Sequence, residues 1–151
     1  MLLQQLLFVV DLQIAQQGSP KDLYNFPKNK FVANFIGDAN DVSAEIINKQ
    51  SNTYELKLAE MRVKIENNQD LKDKVTLALR PEKIKIERNN DNNCIHATIK
   101  NASFVGSSYQ YILNSKIGNL YVVSGDTNDI FKVGEEVFLS INEKDIKILS
   151  D

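Results

Sequence analysis

One cysteine, one histidine and no surplus of basic charge leave few kinds of chemistry open to this 151-residue chain. The lone Cys94 excludes an internal disulfide framework and fits a reducing compartment. Eighteen basic residues against twenty acidic ones give a formal net charge of −2, so no general field draws the chain to nucleic acid or to an anionic membrane. Long hydrophobic runs are missing too. Met1 to Val10 is the most apolar stretch, but it has no basic leader, carries Gln4 and Gln5, and meets Asp11 too early to span a bilayer. None of the six glycines sits in the G-x-x-x-x-G-K-[ST] pattern of a phosphate cradle, which closes that route to ATP.

The remaining chemistry is sparse. Cys94 and His96 lie two residues apart, on one face of a predicted strand, but two ligands are short of the three or four that zinc requires. Cys94 has no second histidine and no helix N-terminus to lower its pKa, and no serine stands in a G-x-S-x-G turn, so no catalytic residue is assigned. Asp91 to Asn93 and Asp126 to Asn128 resemble fragments of calcium loops. Both lack the glycine and distal glutamate of a complete one and read as turns. Asn101-Ala102-Ser103 matches a glycosylation acceptor by chance on a predicted strand.

The apolar pattern is organised mainly for strands. Phe8, Val10, Leu12 and Ile14 alternate at the period of one half-buried strand, stopped by Gly18-Ser19-Pro20. Ser19 and Pro20 suit the cap and first turn of a short helix that Pro27 ends. Asn29 can cap a second helix, with Phe31, Val32, Phe35 and Ile36 on one face and Gly37 as its stop. From Val42 onward the spacing predicts short strands over 42–47, 54–58, 61–65, 75–80 and 84–87. After the polar run Asn89 to Asn93, it predicts strands over 95–104, 109–113, 120–124, 137–141 and 146–149, with bends at Gly106 and Gly118. The expectation is a mainly β, OB-like barrel or sandwich carrying two short N-terminal helices.

Several motifs stand in a recognisable order. Gly18-Ser19-Pro20, Leu23-Tyr24, Pro27-Lys28-Asn29 and Phe31-Val32-Ala33-Asn34-Phe35-Ile36-Gly37 resemble the exit from an ABC-importer ATPase domain. Leu77-Ala78-Leu79-Arg80-Pro81-Glu82-Lys83-Ile84 resembles the R-P-E-x-[IL] motif of the C-terminal domains of the same ATPases. Pro81 fixes its own φ and pushes Arg80 into extended geometry, so the strand must turn between Arg80 and Glu82. Ile95 to Ile99, Phe104-Val105-Gly106 and Tyr109-Gln110-Tyr111 are similar to the start of a transport-associated OB-like domain, and Gly134 to Ile141 to its last strand. Phe35-Ile36-Gly37-Asp38-Ala39-Asn40 resembles the F-I-G-x-x-N continuation of the spermidine/putrescine type. The Leu-Ser-Gly-Gly-Gln signature of the ATPase domain is absent.

The resemblance implies a non-catalytic C-terminal regulatory domain of an ABC importer ATP-binding subunit. It divides the chain into 1–17, the remnant of the last ATPase hairpin; 18–37, a helical connector; and 38–151, the OB-like regulatory domain, with a candidate subdomain split near 89–93. The expected partners are a second copy, the ATPase domain and, through it, the membrane permease subunits. The expected place is the cytoplasmic face of the cell membrane. ATP and magnesium belong to the ATPase domain, and no cofactor is expected in this chain. Phe31, Phe35, Ile36 and Gly37 would anchor the connector, while Arg80, Pro81, Glu82 and Gly106 would shape the domain interface.

The other reading is a stand-alone OB-like sensor of a polyamine or an oxyanion. A polyamine needs spaced carboxylates with aromatic or apolar stem contacts. Asp38, Asp41 and Tyr109 are the candidate ligand residues, with Glu82 beside them in chemistry. A single-strand nucleic-acid binder is disfavoured, because seven phenylalanines and five tyrosines are accompanied by only Arg62, Arg80 and Arg88 as arginines in an acidic chain.

Overall fold

In the computed structural model, the backbone is described for residues 6–10 and 13–18, and backbone and side chains for 39–90 and 92–149. The two expected N-terminal helices lie outside these residues. So do Phe31, Phe35, Ile36, Gly37 and Asp38.

The single strand expected around Phe8 to Ile14 is two strands, β1 (Leu6–Val10) and β2 (Gln13–Gly18). They pair antiparallel, with a register shift between Phe8 and Val9. The alternation of apolar residues was right for strand geometry but blind to the reversal of direction, which places Val10 opposite Gln13.

Two five-stranded antiparallel sheets make up the rest. The first has the order β12-β6-β3-β4-β5 and contains β3 (Asn40–Gln50), β4 (Thr53–Leu58), β5 (Met61–Glu66), β6 (Lys74–Leu79) and β12 (Ile146–Leu149). The second has the order β10-β9-β8-β11-β7. It contains β7 (Lys85–Glu87), β8 (Ile95–Phe104), β9 (Tyr109–Ser115), β10 (Gly118–Ser124) and β11 (Glu136–Ser140). The strand pattern dictates the inner faces. Val42 and Ala44, Tyr54, Leu56 and Leu58, and Leu77 and Leu79 alternate with Ser43, Glu45, Glu55 and Lys57 on β3, β4 and β6, and are buried. Ile95, Ala97, Ile99, Tyr111, Leu113, Leu120, Val122, Val137 and Leu139 do the same in the second sheet, and one hydrophobic cluster joins both sets.

The sheets exchange strands at one corner. β6 runs through a one-turn 3₁₀ helix at Pro81–Lys83 into β7, and β11 runs through a second such turn at Glu143–Asp145 into β12. Each pair therefore begins in one sheet and ends in the other: β6 lies beside β12, and β7 beside β11. Arg80 sits at the start of the first turn with extended backbone, φ −70° and ψ 133°, as Pro81 requires of its predecessor. Gly106, with φ +94°, and Gly118, with φ +106°, occupy the β8–β9 and β9–β10 turns, where a Cβ would be strained.

Candidate functional site

Two asparagine side chains close the sheets onto each other. Asn40, at the first residue of β3, donates from Nδ2 to the carbonyls of Leu79 at 3.1 Å and Tyr121 at 2.8 Å, and its Oδ1 accepts from the Tyr121 N–H at 2.7 Å. Its amide thus imitates a peptide on the edge of β10. Asn93 does the reciprocal job between β7 and β8: Oδ1 accepts from the Arg62 N–H at 2.6 Å and Nδ2 donates to the Arg62 carbonyl at 2.8 Å, on the edge of β5. The Lys64 N–H on the same edge donates to Glu143 Oε1 at 2.9 Å. Asn40 is buried, and its three hydrogen bonds satisfy one buried and two partly buried backbone groups.

A second constellation is built on Arg88, just past β7. Its guanidinium donates to Asp129 Oδ1 at 2.7 Å, Glu135 Oε2 at 2.8 Å and the Ile130 carbonyl at 3.0 Å. It also lies 4.3 Å from the ring centroid of Phe131. The bond to Asp129 is the first cause of a guanidinium pKa raised above its ordinary value. Phe131 packs edge-on to Tyr111, Tyr111 stacks with Tyr109, and Tyr109 leans on Phe104, with centroid separations of 5.7, 5.9 and 5.2 Å. The result is an aromatic row from the Arg88 cluster to the exposed tip of the β8–β9 hairpin.

Two clefts flank these features. One, of about 290 Å³, is lined by Glu82, Glu87, Asp126 and Asp129, with Lys85 among them, around Ile84, Ile86 and Phe131. Asp126 Oδ1 accepts the N–H groups of Asn128 and Asp129 at 3.0 and 3.1 Å, and these bonds hold its carboxyl below the usual range, the Asp129 N–H first. The other, of about 470 Å³, lies on the outer face of the first sheet. Lys74, Glu45 and Lys57 are directly opposite one another across β6, β3 and β4, with Lys116 beside them.

The sequence-selected residues are distributed rather than gathered. Pro81 is buried in the corner turn, Arg80 is buried beside it, and Glu82 is exposed on the acidic cleft. Gly106 turns the β8–β9 hairpin. Asp41 is exposed on β3 opposite Ala78, and Tyr109 is half-buried in the aromatic row. The acidic cleft includes Glu82 but neither Asp41 nor Tyr109. Among the described residues, no three His, Cys, Asp or Glu side chains converge on a metal position, and no helix is long and apolar enough to cross a membrane. Asn93 and Arg88 were not selected as site residues. Asn93 reads locally as a turn residue, and the acidic partners of Arg88 stand 41 and 47 positions away.

Among the described residues the module is built of β-strands with open clefts, and the buried Asn40 amide is satisfied by backbone groups. Residues 77–149 match the model of the TOBE domain family. Over 93% of its length the chain is 30% identical to the spermidine/putrescine import ATP-binding protein PotA of Ruegeria pomeroyi and 28% identical to the Fe(3+) ions import ATP-binding protein FbpC of Fusobacterium nucleatum. It covers 40% and 38% of those relatives, so it corresponds to well under half of each. Over 91% of the chain, PotA of Mesomycoplasma hyopneumoniae is 33% identical, and the match spans 29% of that relative. The cytoplasmic molybdate-binding protein ModG, with molybdate bound, superposes with a TM-score of 0.58 at 8% identity, covering 71% of this chain and 92% of ModG. At that identity the likeness establishes the OB-like fold alone.

Proposed function

We infer that the chain acts as the regulatory segment of an ABC importer ATP-binding protein, with a polyamine as the cargo of that importer. The observation that carries this reading is the similarity along nine-tenths of the chain to import ATP-binding proteins, two of them named for spermidine and putrescine. The iron-importing relative is about as similar, so cargo is decided by assay. On this reading the segment holds no cofactor and does no chemistry. It associates with a second copy and with the ATPase part, which handles ATP and magnesium and engages the permease at the cytoplasmic face of the membrane.

The test grafts this chain in place of the matching segment of the Mesomycoplasma relative, reconstitutes the importer, and measures uptake of labelled spermidine and of Fe(3+). Spermidine uptake retained above that of the segment-deleted protein is the expected result. Uptake no better than the deletion contradicts the regulatory reading, and uptake of iron alone contradicts the polyamine assignment.

A sensor role for the segment is favoured by the acidic cleft. Glu82, Glu87, Asp126 and Asp129, the last paired with Arg88, outnumber the single lining cation Lys85 around an apolar and aromatic floor, the chemistry a polyamine needs along its length. The cleft of Lys57, Lys74 and Lys116, which also carries Glu45 and Glu60, is the corresponding place for an oxyanion. Calorimetry with spermidine, then with molybdate and sulfate, separates them, and no heat from any of the three removes the sensor role.

A further inference from the structure

One cross-strand row on the outer face of the first sheet carries more positive charge than its own carboxylate can offset. Lys74, Glu45 and Lys57 stand opposite one another across β6, β3 and β4, and Arg62 on β5 stands opposite Lys57. The row therefore holds three cations and one carboxylate. Lys116, on the turn between β9 and β10, reaches the same cleft of about 470 Å³ from the second sheet. All four cations are exposed, and among the described residues none of them takes part in an ion pair, although Glu45 lies between two of them.

Like charges directly opposite across an antiparallel pair are destabilising, and Lys57 opposite Arg62 is such a pair. The next row obeys the usual rule, with Glu55 opposite Lys64. The other carboxylate of the cleft, Glu60, is already engaged, since its Oε1 accepts the His96 N–H at 3.3 Å. A local rule broken without an internal partner is most often broken at a functional site.

We propose that this row, with Lys116, seats a small molecule carrying a chain of phosphates, as a regulatory ligand of the segment. Strand spacing sets the Cα atoms of Lys74 and Arg62 about 14 Å apart, and Glu45 divides the row. A single compact anion cannot engage both ends. A phosphate chain can pass the carboxylate and meet a cation on either side, and the cleft has the volume of a small-ligand pocket, about 300–1,000 Å³. Lysine serves phosphate as a point charge on a flexible stem, and Arg62 adds a two-pronged donor at the sheet edge. The proposal rests on the regulatory reading above and adds the class of ligand and its seat.

The experiment is calorimetry of the full chain with inorganic triphosphate, with ATP and with sulfate, in magnesium-free buffer. Triphosphate or ATP should bind, with sulfate at least about tenfold weaker. Whichever of the first two binds more tightly identifies the source of the phosphate chain as inorganic or nucleotide. Lys57→Gln and Arg62→Gln should each weaken binding at least about threefold, while Lys100→Gln, an exposed cation of the second sheet, leaves it unchanged. Arg62→Gln gives a second readout. It removes the like charge facing Lys57, so the ligand-free urea midpoint should hold or rise, and a lowered midpoint contradicts the like-charge argument. No heat from either phosphate compound overturns the proposal and leaves the regulatory reading to the graft experiment. A failed graft with triphosphate still bound does the reverse. Sulfate as tight as triphosphate, or an equal loss in Lys100→Gln, also overturns it.

Discussion

Asn40 contributes one amide to three backbone groups, and its burial makes the loss of that amide costly. In Asn40→Ala the carbonyls of Leu79 and Tyr121 and the Tyr121 N–H lose their partner. The predicted cost is roughly 2–3 kcal/mol, read as a lower urea midpoint with an unchanged m-value. Asn93→Ala makes a comparison: its two bonds are exposed, so the cost falls to about 1 kcal/mol or less. Asp126 has its pKa lowered by backbone N–H groups in the folded state. Its contribution is present above the ordinary carboxylate pKa and disappears as pH falls through the lower folded value. Stability of the wild type should therefore decline as acid is added below the ordinary carboxylate range, and Asp126→Ala should show a shallower decline in the same titration of urea midpoints. A decline of equal slope in both proteins would contradict that role. The Asp126 turn was readable from local pattern, whereas the Asn40 and Asn93 partnerships were not. Asn40 was quoted only as the end of the F-I-G-x-x-N motif, and its partner strand lies 81 positions away.

The elements were legible where burial on one face fixes a period of two. β8 and β12 lie at the residues that alternation predicts, 95–104 and 146–149, and β4 differs by one residue. The N-terminal strand was misread by alternation, which carries no information about a reversal, although the resemblance of 1–17 to a last hairpin implied one. The segment between β10 and β11 was also opaque. It has no period, and its shape comes from Arg88 reaching Asp129, Glu135 and Ile130 from the other side of the sheet. Lysine cannot reproduce that planar fork. In Arg88→Lys, amide exchange from Asp129 to Glu135 is expected to rise several-fold while exchange in β3 and β4 stays as in the wild type. Equal acceleration in both regions would mean that Arg88 supports the whole fold instead of this segment.

At the scale of the whole molecule, the corner where β6–β7 and β11–β12 pass from sheet to sheet explains why the R-P-E segment was so conspicuous in the sequence. It is the point where a strand must leave one sheet and enter the other, and Pro81 enforces the turn. The regulatory reading came from motif order, since open clefts and a self-satisfied core carry no catalytic signature. The most direct measurement is steady-state ATP hydrolysis by the Mesomycoplasma relative in three forms: intact, with the matching segment deleted, and with this chain grafted in its place. The regulatory account predicts that deletion changes the rate or its response to cargo, and that the graft restores the intact behaviour. A graft indistinguishable from the deletion would contradict it.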